Sequence, residues 1–233
     1  MKIIAISDLH GLLPKIDEDF DLMLICGDIC PVYCHDWLFQ DSWIKYDFVN
    51  WVNKLNYKNE NSKVVFIGGN HDNVLEKNEN IGTHISIHTN GRTVYLLNQS
   101  YLFSYKENDI TKTYKIFGTP YCKIFGNWAF MLDKDDLKKK YSEIPNDTDI
   151  LISHDSPMIG ELGMVHSGKK TGNEYGSEYL AEAIFKHKPK YVFSGHIHSG
   201  DHNLTEINGI KLYNVSLLDE DYKQSYKPLI LNI

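Results

Sequence analysis

Arginine is nearly missing from this chain. Arg92 is the only one in 233 residues, and 24 Lys+Arg stand against 31 Asp+Glu for a net charge of -7. A long nucleic acid needs a basic track to displace its counterions, so this composition argues against that partner. It also removes the usual bidentate guanidinium clamp for phosphate. Metals, histidines, lysines or backbone amides must then hold most of any bound phosphate. No apolar run approaches the ~20 residues of a membrane helix, and the first residues lack the charged, apolar and cleavage regions of a signal peptide. Cysteine is scarce as well. Cys26 sits in an apolar run as a core thiol, and Cys30, Cys34 and Cys122 complete the set. Cys30 and Cys34, with His35 beside them, invite a zinc site. Pro31 interrupts the helix that spacing needs, and no second Cys/His pair follows at finger spacing. Free reduced thiols in a cytoplasmic protein are the expectation. Repeats, low-complexity tracts and linkers are absent too, so residues 1–233 are expected to form one domain.

What the chain does have is a recurring pattern. Ile3, Ile4 and Ile6 make an apolar run that reads as a buried strand, and it ends in Ser7, Asp8, Leu9, His10 and Gly11. The run at residues 22–26 ends in Gly27 and Asp28. The run at 64–67 ends in Gly68, Gly69, Asn70, His71 and Asp72. The run at 149–152 ends in Ser153 and His154, and the run at 191–193 ends in Ser194, Gly195, His196, Ile197 and His198. Taken singly, each cluster is an ordinary turn or surface group. A parallel sheet puts the C-terminal ends of its strands on one edge, where ligands bind in open α/β sheets. Carboxylates, an amide oxygen and imidazoles from distant positions can therefore converge. That donor set has no thiolate and suits Mn, Fe or Zn. Two such ions ~3.5–4 Å apart bind two phosphate oxygens and activate a bridging water.

Between these runs, residues 15–20 read as a short helix and 31–45 as an aromatic loop over a site. Residues 46–55 read as an amphipathic helix and 74–78 as a short helical start. Residues 84–119 have β character, with Asn90 and Gly91 as a hairpin turn. Residues 133–141 form a charged helix with acids first and lysines last. Ser177 caps a helix to about residue 186. Asn208 and Gly209 mark a second hairpin, and residues 228–233 close a sheet.

The five clusters in order (Asp8-Leu9-His10; Gly27 and Asp28; Gly69, Asn70, His71 and Asp72; Ser153 and His154; Gly195, His196, Ile197 and His198) resemble the motifs of the calcineurin-like metallophosphoesterases. The resemblance implies an α/β fold, α+β by some schemes: a four-layer α-β-β-α sandwich of two mixed sheets flanked by helices. It implies that Asp8, His10, Asp28 and His198 hold a first divalent metal ion. Asp28, Asn70, His154 and His196 would hold a second, with Asp28 bridging. It implies that His71 contacts the phosphate and protonates the leaving oxygen or stabilises its charge, with Asn70 also on the substrate. Asp72 is expected to orient His71.

Two departures stand out. The fourth motif carries Asp155 after its histidine, followed by Ser156 and Pro157. The arginine that protein Ser/Thr phosphatases carry shortly after the second aspartate is absent, where Ile29, Cys30 and Pro31 stand. Residues 118–120, 125–130 and 213–216 look like the branch of small phosphodiesterases related to class III cyclic nucleotide enzymes. The expected activity is hydrolysis of a small phosphate ester by in-line attack of a metal-bridging hydroxide, a diester slightly preferred. A phosphomonoesterase, a nuclease and a non-catalytic scaffold are the rivals. The oligomeric state stays open. His84 and His88, four apart in the β-like middle, read as structural or surface groups. His166 could line a substrate pocket, Lys169 and Lys170 could contact phosphate, and Trp37, Trp43, Tyr121 and Trp128 could stack a base. Packing and solvation explain these residues as well.

Overall fold

The computed structural model describes residues 1–167 and 171–233. Four apolar runs pair in parallel: β1 (Lys2–Ile6), β2 (Leu22–Cys26), β3 (Lys63–Ile67) and the short β4 (Thr93–Tyr95). β2 is buried throughout, as a strand covered on both faces must be. The next strands, β5 (Gln99–Glu107) and β6 (Ile110–Thr119), form an antiparallel hairpin. Its turn residues Asn108 and Asp109 have φ 49° and 64°, the left-handed pair a tight hairpin requires. A two-stranded parallel pair follows, β7 (Cys122–Lys123) with β8 (Met131–Leu132). Then come β9 (Ile150–Ser153), β10 (Tyr191–Ser194), β11 (Thr205–Ile207) and β12 (Ile210–Asn214). The last strand, β13 (Leu229–Asn232), returns to pair antiparallel with β1. One sheet has the order β13-β1-β2-β3-β4, the other β11-β12-β10-β9-β6-β5.

Strand periodicity sorts the side chains into layers. Ile3, Ala5, Leu24 and Val65 of the first sheet pack against Ile116, Ile150, Ile152 and Phe193 of the second. The alternate residues Ile4, Ile6, Met23 and Ile25 face an outer helical layer. That layer holds α1 (Trp37–Trp43), a π-helical turn (Ile44–Phe48), α2 (Val49–Asn53), α3 (Asn73–Lys77) and α4 (Ile81–His88). On the far side, Phe117, Leu151, Val192 and Leu212 meet Leu137 and Leu180. Those two residues belong to α5 (Lys134–Ser142) and α6 (Glu178–His187). The four-layer α-β-β-α arrangement of two mixed sheets is therefore present. Among the described residues, no helix is long and apolar enough to cross a membrane.

Several local readings needed correction. Residues 84–88 belong to helix α4, so His84 and His88 stack as helical neighbours at 3.9 Å instead of sharing a strand face. Asn90 and Gly91 make no hairpin, because β4 runs parallel to β3. They end α4: Asn90 takes φ 53° and the Gly91 amide donates to Ser86 O at 2.8 Å. A left-handed Asn-Gly pair serves a helix C-terminus as well as a type I′ turn, and the pattern alone does not separate the two. Residues 15–20 are not helical. The aromatic stretch 31–45 is only half a loop, since Asp36 caps α1 by accepting from Phe39 N at 3.0 Å. The α5 and α6 readings hold, with Asp133 and Ser177 as caps, and so does the β11–β12 hairpin. Lys169 and Lys170 lie outside the described residues.

Candidate metal centre

β1, β2 and β3 point the same way, as do β9 and β10, and the two sets of C-terminal ends meet at one edge. The seam is a backbone contact: Ser7 bridges Ser216, and Ser7 N donates to Val215 O at 2.8 Å. Two glycines permit the approach. A Cβ on Gly195 would fall 2.1 Å from Ser7 Oγ and 2.3 Å from Asp8 Oδ2. One on Gly69 would fall 2.3 Å from Asp28 Oδ1. The turns that follow are tight. Asp8, His10, Asp28 and His196 sit at φ 54°, 45°, 50° and 70°, a left-handed region that non-glycine residues occupy at a cost of ~1–2 kcal/mol each. Four strained residues in the expected ligand set suggest that the surrounding structure holds them there for a purpose.

The expected first shell comes together. Asp8, His10 and His198 offer ligand atoms within 4.8 Å of one another. His198 Nε2 lies 3.4 Å from Asp8 Oδ1 and 3.2 Å from His10 Nε2, and His10 Nε2 lies 3.6 Å from Asp28 Oδ2. The expected ligands of the second cation lie close by. His154 Nε2 lies 2.8 Å from Asn70 Oδ1 and 3.5 Å from Asp28 Oδ2. Asp28 therefore stands between the two sets. The His196 ring packs edge-on to His154 with centroids 5.0 Å apart.

Each ligand is oriented from behind. Asp8 accepts from Ser216 Oγ at 2.6 Å and from His196 N at 3.1 Å, and Asp28 accepts from His71 N at 2.7 Å. His154 Nδ1 donates to Cys26 O at 3.0 Å, and His198 Nδ1 donates to Asp219 O at 2.9 Å. Such contacts fix the tautomer and turn the Nε2 lone pair inward.

Electrostatics at the centre are unbalanced. Burial, and then the charges of Asp72 and Asp8, push the Asp28 carboxyl well above its ordinary value. Burial also works against a charged Asp8, but His198, His154 and His10 override it and hold Asp8 low. Burial and the charge of His198 depress His10. Burial disfavours charge on His198 as well, yet Asp8 beside it lifts it to about 9.

His71 is held differently from the expectation. Asp72 does not reach its ring. The Asp72 carboxylate is fully buried and accepts from the amides of Ile29, Cys30 and Gly69 at 2.7–3.1 Å, tying two strand-end loops together. His71 Nδ1 instead lies 2.9 Å from His35 Nε2. Gln40 Nε2 donates to His71 O at 2.7 Å, and the Trp128 ring lies 4.7 Å from the imidazole. Burial first, then His35 and His154, depress His71 to about 4. The sequence missed His35, Gln40 and Tyr222. Tyr222, at φ 59°, stands edge-on to His10 at 4.8 Å from a loop near the far end of the chain. None carries a strand-end signature. Of the residues in the zinc alternative, Cys30, Cys34 and His35, the structure turns His35 toward His71.

The donor set fits divalent cations. His154, its Nδ1 donating to a carbonyl, presents Nε2 2.8 Å from the Asn70 side-chain oxygen, so these two atoms can serve one cation together. The buried carboxylates Asp8 and Asp28 have ion-pair contacts only to histidines among the described residues, with no lysine or arginine to balance them. Around them opens a cleft of about 930 Å³, lined on its apolar side by Val32, Phe125, Trp128, Val165 and Tyr222. Asp155 lies on its wall, buried, with no hydrogen-bond partner for Oδ1 among the described residues.

Known proteins share this frame. A UPF0046 protein of Caenorhabditis elegans is 27% identical over all of this chain and 81% of its own length. A protein of Emericella nidulans named probable rhamnogalacturonate lyase C is 28% identical over 86% of this chain, which spans only 17% of that protein. The phosphopantetheinyl hydrolase of Mycobacterium tuberculosis superposes with a TM-score of 0.52 at 12% identity, covering 95% of this chain and 90% of that one, a likeness of fold. The family model described as calcineurin-like phosphoesterase matches residues 1–200, and on that match the chain belongs to this family.

Proposed function

We propose that the chain is a metal-dependent phosphoric ester hydrolase acting on a small phosphate ester, with a diester preferred, through a two-cation centre. The observation that carries this reading is the convergence of carboxylate, amide and imidazole atoms from five strand ends, where among the described residues the buried carboxylates pair with histidines and with no lysine or arginine. Asp8, His10, Asp28 and His198 would hold one cation. Asp28, Asn70, His154 and His196 would hold the other. Two bound cations withdraw charge from the phosphoryl oxygens and make a water nucleophilic near neutral pH. Manganese, iron and zinc all suit the donors.

The chain's own groups do the rest. Asn70 and His71 sit where the cleft meets the metal ligands, so both can touch the phosphoryl group. With Nδ1 engaged by His35, His71 has its other nitrogen free for a phosphate or leaving oxygen. The preference for a diester rests on space. The cleft is wide, and Trp128, Phe125 and Tyr222 offer apolar surface for ester substituents. Residues 1–233 act as one unit in this reading, because β13 completes the sheet that β1 begins. The four unpaired thiols support a reducing, cytoplasmic setting.

The test is a metal-stripped preparation reloaded with Mn²⁺, Fe²⁺ or Zn²⁺ and assayed on bis-p-nitrophenyl phosphate and p-nitrophenyl phosphate. Cyclic nucleotides and sugar phosphates extend the panel. Turnover of diesters above monoesters supports the proposal. Two metals bound with no turnover of any ester would leave a scaffold.

A further inference from the structure

We infer that His35 is a positioning residue for His71, setting which of its nitrogens carries the proton that faces the substrate. This rests on the reading above, in which His71 meets the phosphoryl group. His35 lies within the aromatic stretch 31–45. The structure ties that stretch, and the two residues just before it, to the His71 turn at several points. Ile29 and Cys30 donate to Asp72, Asn73 Nδ2 donates to His35 O at 3.1 Å, and Gln40 donates to His71 O. Gln40 Oε1 also accepts from Val74 N at 3.1 Å. The Trp128 ring stands against both imidazoles, 4.9 Å from His35 and 4.7 Å from His71. His35 Nε2 is thereby held 2.9 Å from His71 Nδ1. Asp72 cannot take this role, because its oxygens are occupied by three amides.

The chemistry selects a direction for that hydrogen bond. Phosphoryl and ester oxygens accept hydrogen bonds and do not donate them. A neutral His71 that serves them must carry its single ring proton on Nε2. Its Nδ1 is then an acceptor, and the partner at 2.9 Å must donate. His35 with its proton on Nε2 satisfies this arrangement. Without it, the His71 proton is free to move to Nδ1 and the ring is free to turn. A misplacement of about 1 Å costs on the order of 100-fold in rate.

The experiment compares wild type, His35→Ala, His35→Gln and His71→Ala. Two-bond ¹H–¹⁵N correlation on metal-free protein reads the tautomer of His71. Kinetics on metal-loaded protein use a diester with an alkyl leaving group and one with p-nitrophenyl. Wild type and His35→Gln, whose amide can donate, should show His71 protonated on Nε2. His35→Ala should show a mixture or the Nδ1 form. It should also lose roughly 10–100-fold in kcat for the alkyl ester, and less for p-nitrophenyl, with KM and metal content unchanged. A His35→Ala protein that keeps the Nε2-protonated form and kcat within twofold of wild type overturns the inference. His71→Ala separates the two readings. If it retains full kcat, the placement of His71 on substrate fails, while the tautomer spectrum still judges His35.

Discussion

The two sheets supply different halves of the centre. Among the expected ligands, both carboxylates and the amide oxygen come from strand ends of the β13-β1-β2-β3-β4 sheet, as Asp8, Asp28 and Asn70. The other sheet gives only imidazoles, His154, His196 and His198. The halves also orient each other. Asp8 is gripped by the His196 amide of the second sheet, and the His154 ring by the Cys26 carbonyl of the first. Neither edge can have its working geometry alone. Before the sheets dock, the two acids on one side have only His10 beside them, and the other side has imidazoles without a carboxylate. The centre is thus a product of the interface between sheets, and the two sides should respond to mutation in opposite ways.

The largest expected effect tests that opposition. Asp28→Asn and His198→Ala should each weaken metal binding by more than ~100-fold, since even outer-shell partners of metal ligands are worth 10–100-fold. At free Mn²⁺ about 100-fold above Kd, wild type gains ~2.7 kcal/mol, or about 5–10 °C in Tm, and both variants should lose that gain. In chelator their signs diverge. Asp28→Asn removes a carboxyl that burial, Asp72 and Asp8 all push toward neutrality, so its Tm should match or exceed wild type. His198→Ala strips Asp8 of its main counter-charge and should lose on the order of 3 kcal/mol. Calorimetry with EDTA and with Mn²⁺ reads all four numbers. Equal metal-free shifts in both variants would erase the distinction between the edges.

A second effect, of similar size in stability, acts on the seam itself. Gly195→Ala would set a methyl 2.1 Å from Ser7 Oγ and 2.3 Å from Asp8 Oδ2. The edges must then part, at a cost of ~1–3 kcal/mol or more. Because Asp8 moves away from His198, metal affinity should fall as well. Denaturant unfolding and metal titration should both report it. A Gly195→Ala protein with wild-type metal affinity would show that the edges need not be in such close register.

The sequence already exposed the candidate ligands on both edges, for a physical reason. A buried strand is a plain apolar run, and a polar cluster at its end is conspicuous against it. Asp8, His10, Asp28, Asn70, His154, His196 and His198 all stand in that position; donor atoms of six of them lie close together, and the His196 ring packs on His154. The layers around them were legible where caps and alternation agree, as at Ser177 and in the β11–β12 hairpin. Legibility failed where one local signal serves two structures. Asn90 and Gly91 end a helix here but would equally turn a hairpin. It failed again where function comes from a segment without periodicity. His35 and Gln40 reach His71 only because Asp36 starts a helix in an aromatic stretch. Asp72 was placed on the wrong partner because sequence adjacency suggests His71, whereas the turn aims its carboxylate at the amides of Ile29 and Cys30.

Asp155 asks whether the imidazole edge hides a charge of its own. It is buried on that side, and burial raises it to about 6 against the opposing influence of Lys123 and His154. A carboxyl raised in the folded state favours the fold at low pH, where it is neutral. That advantage is full below its unfolded value near 4 and disappears as pH climbs through 6. The difference from pH 4 to pH 7 is about 2 kcal/mol at ~1.36 kcal/mol per unit. Asp155→Asn keeps the shape and cannot ionise. In metal-free protein its stability relative to wild type should therefore grow by that amount between pH 4 and pH 7. Parallel pH profiles for the two proteins would mean that Asp155 carries no such charge.

The smallest effects compare the helical layers behind the edges. Asp36 caps α1 behind the carboxylate edge, and Ser177 caps α6 behind the imidazole edge by accepting from Leu180 N at 3.3 Å. Replacing either with alanine should cost ~1 kcal/mol, about 2–4 °C in Tm for a chain of this size. The costs are alike but their reach should differ. α6 meets the second sheet through Leu180 and Ile184, away from the ligands, so Ser177→Ala should leave metal affinity and kcat untouched. α1 begins two residues after His35 and carries Gln40, and His35 and Gln40 both touch His71. Asp36→Ala should therefore lower kcat severalfold at unchanged metal content. Matching Tm losses with a kcat loss in Asp36→Ala alone would place the support of His71 on the carboxylate side of the molecule. A kcat loss in both would mean that the two layers share it.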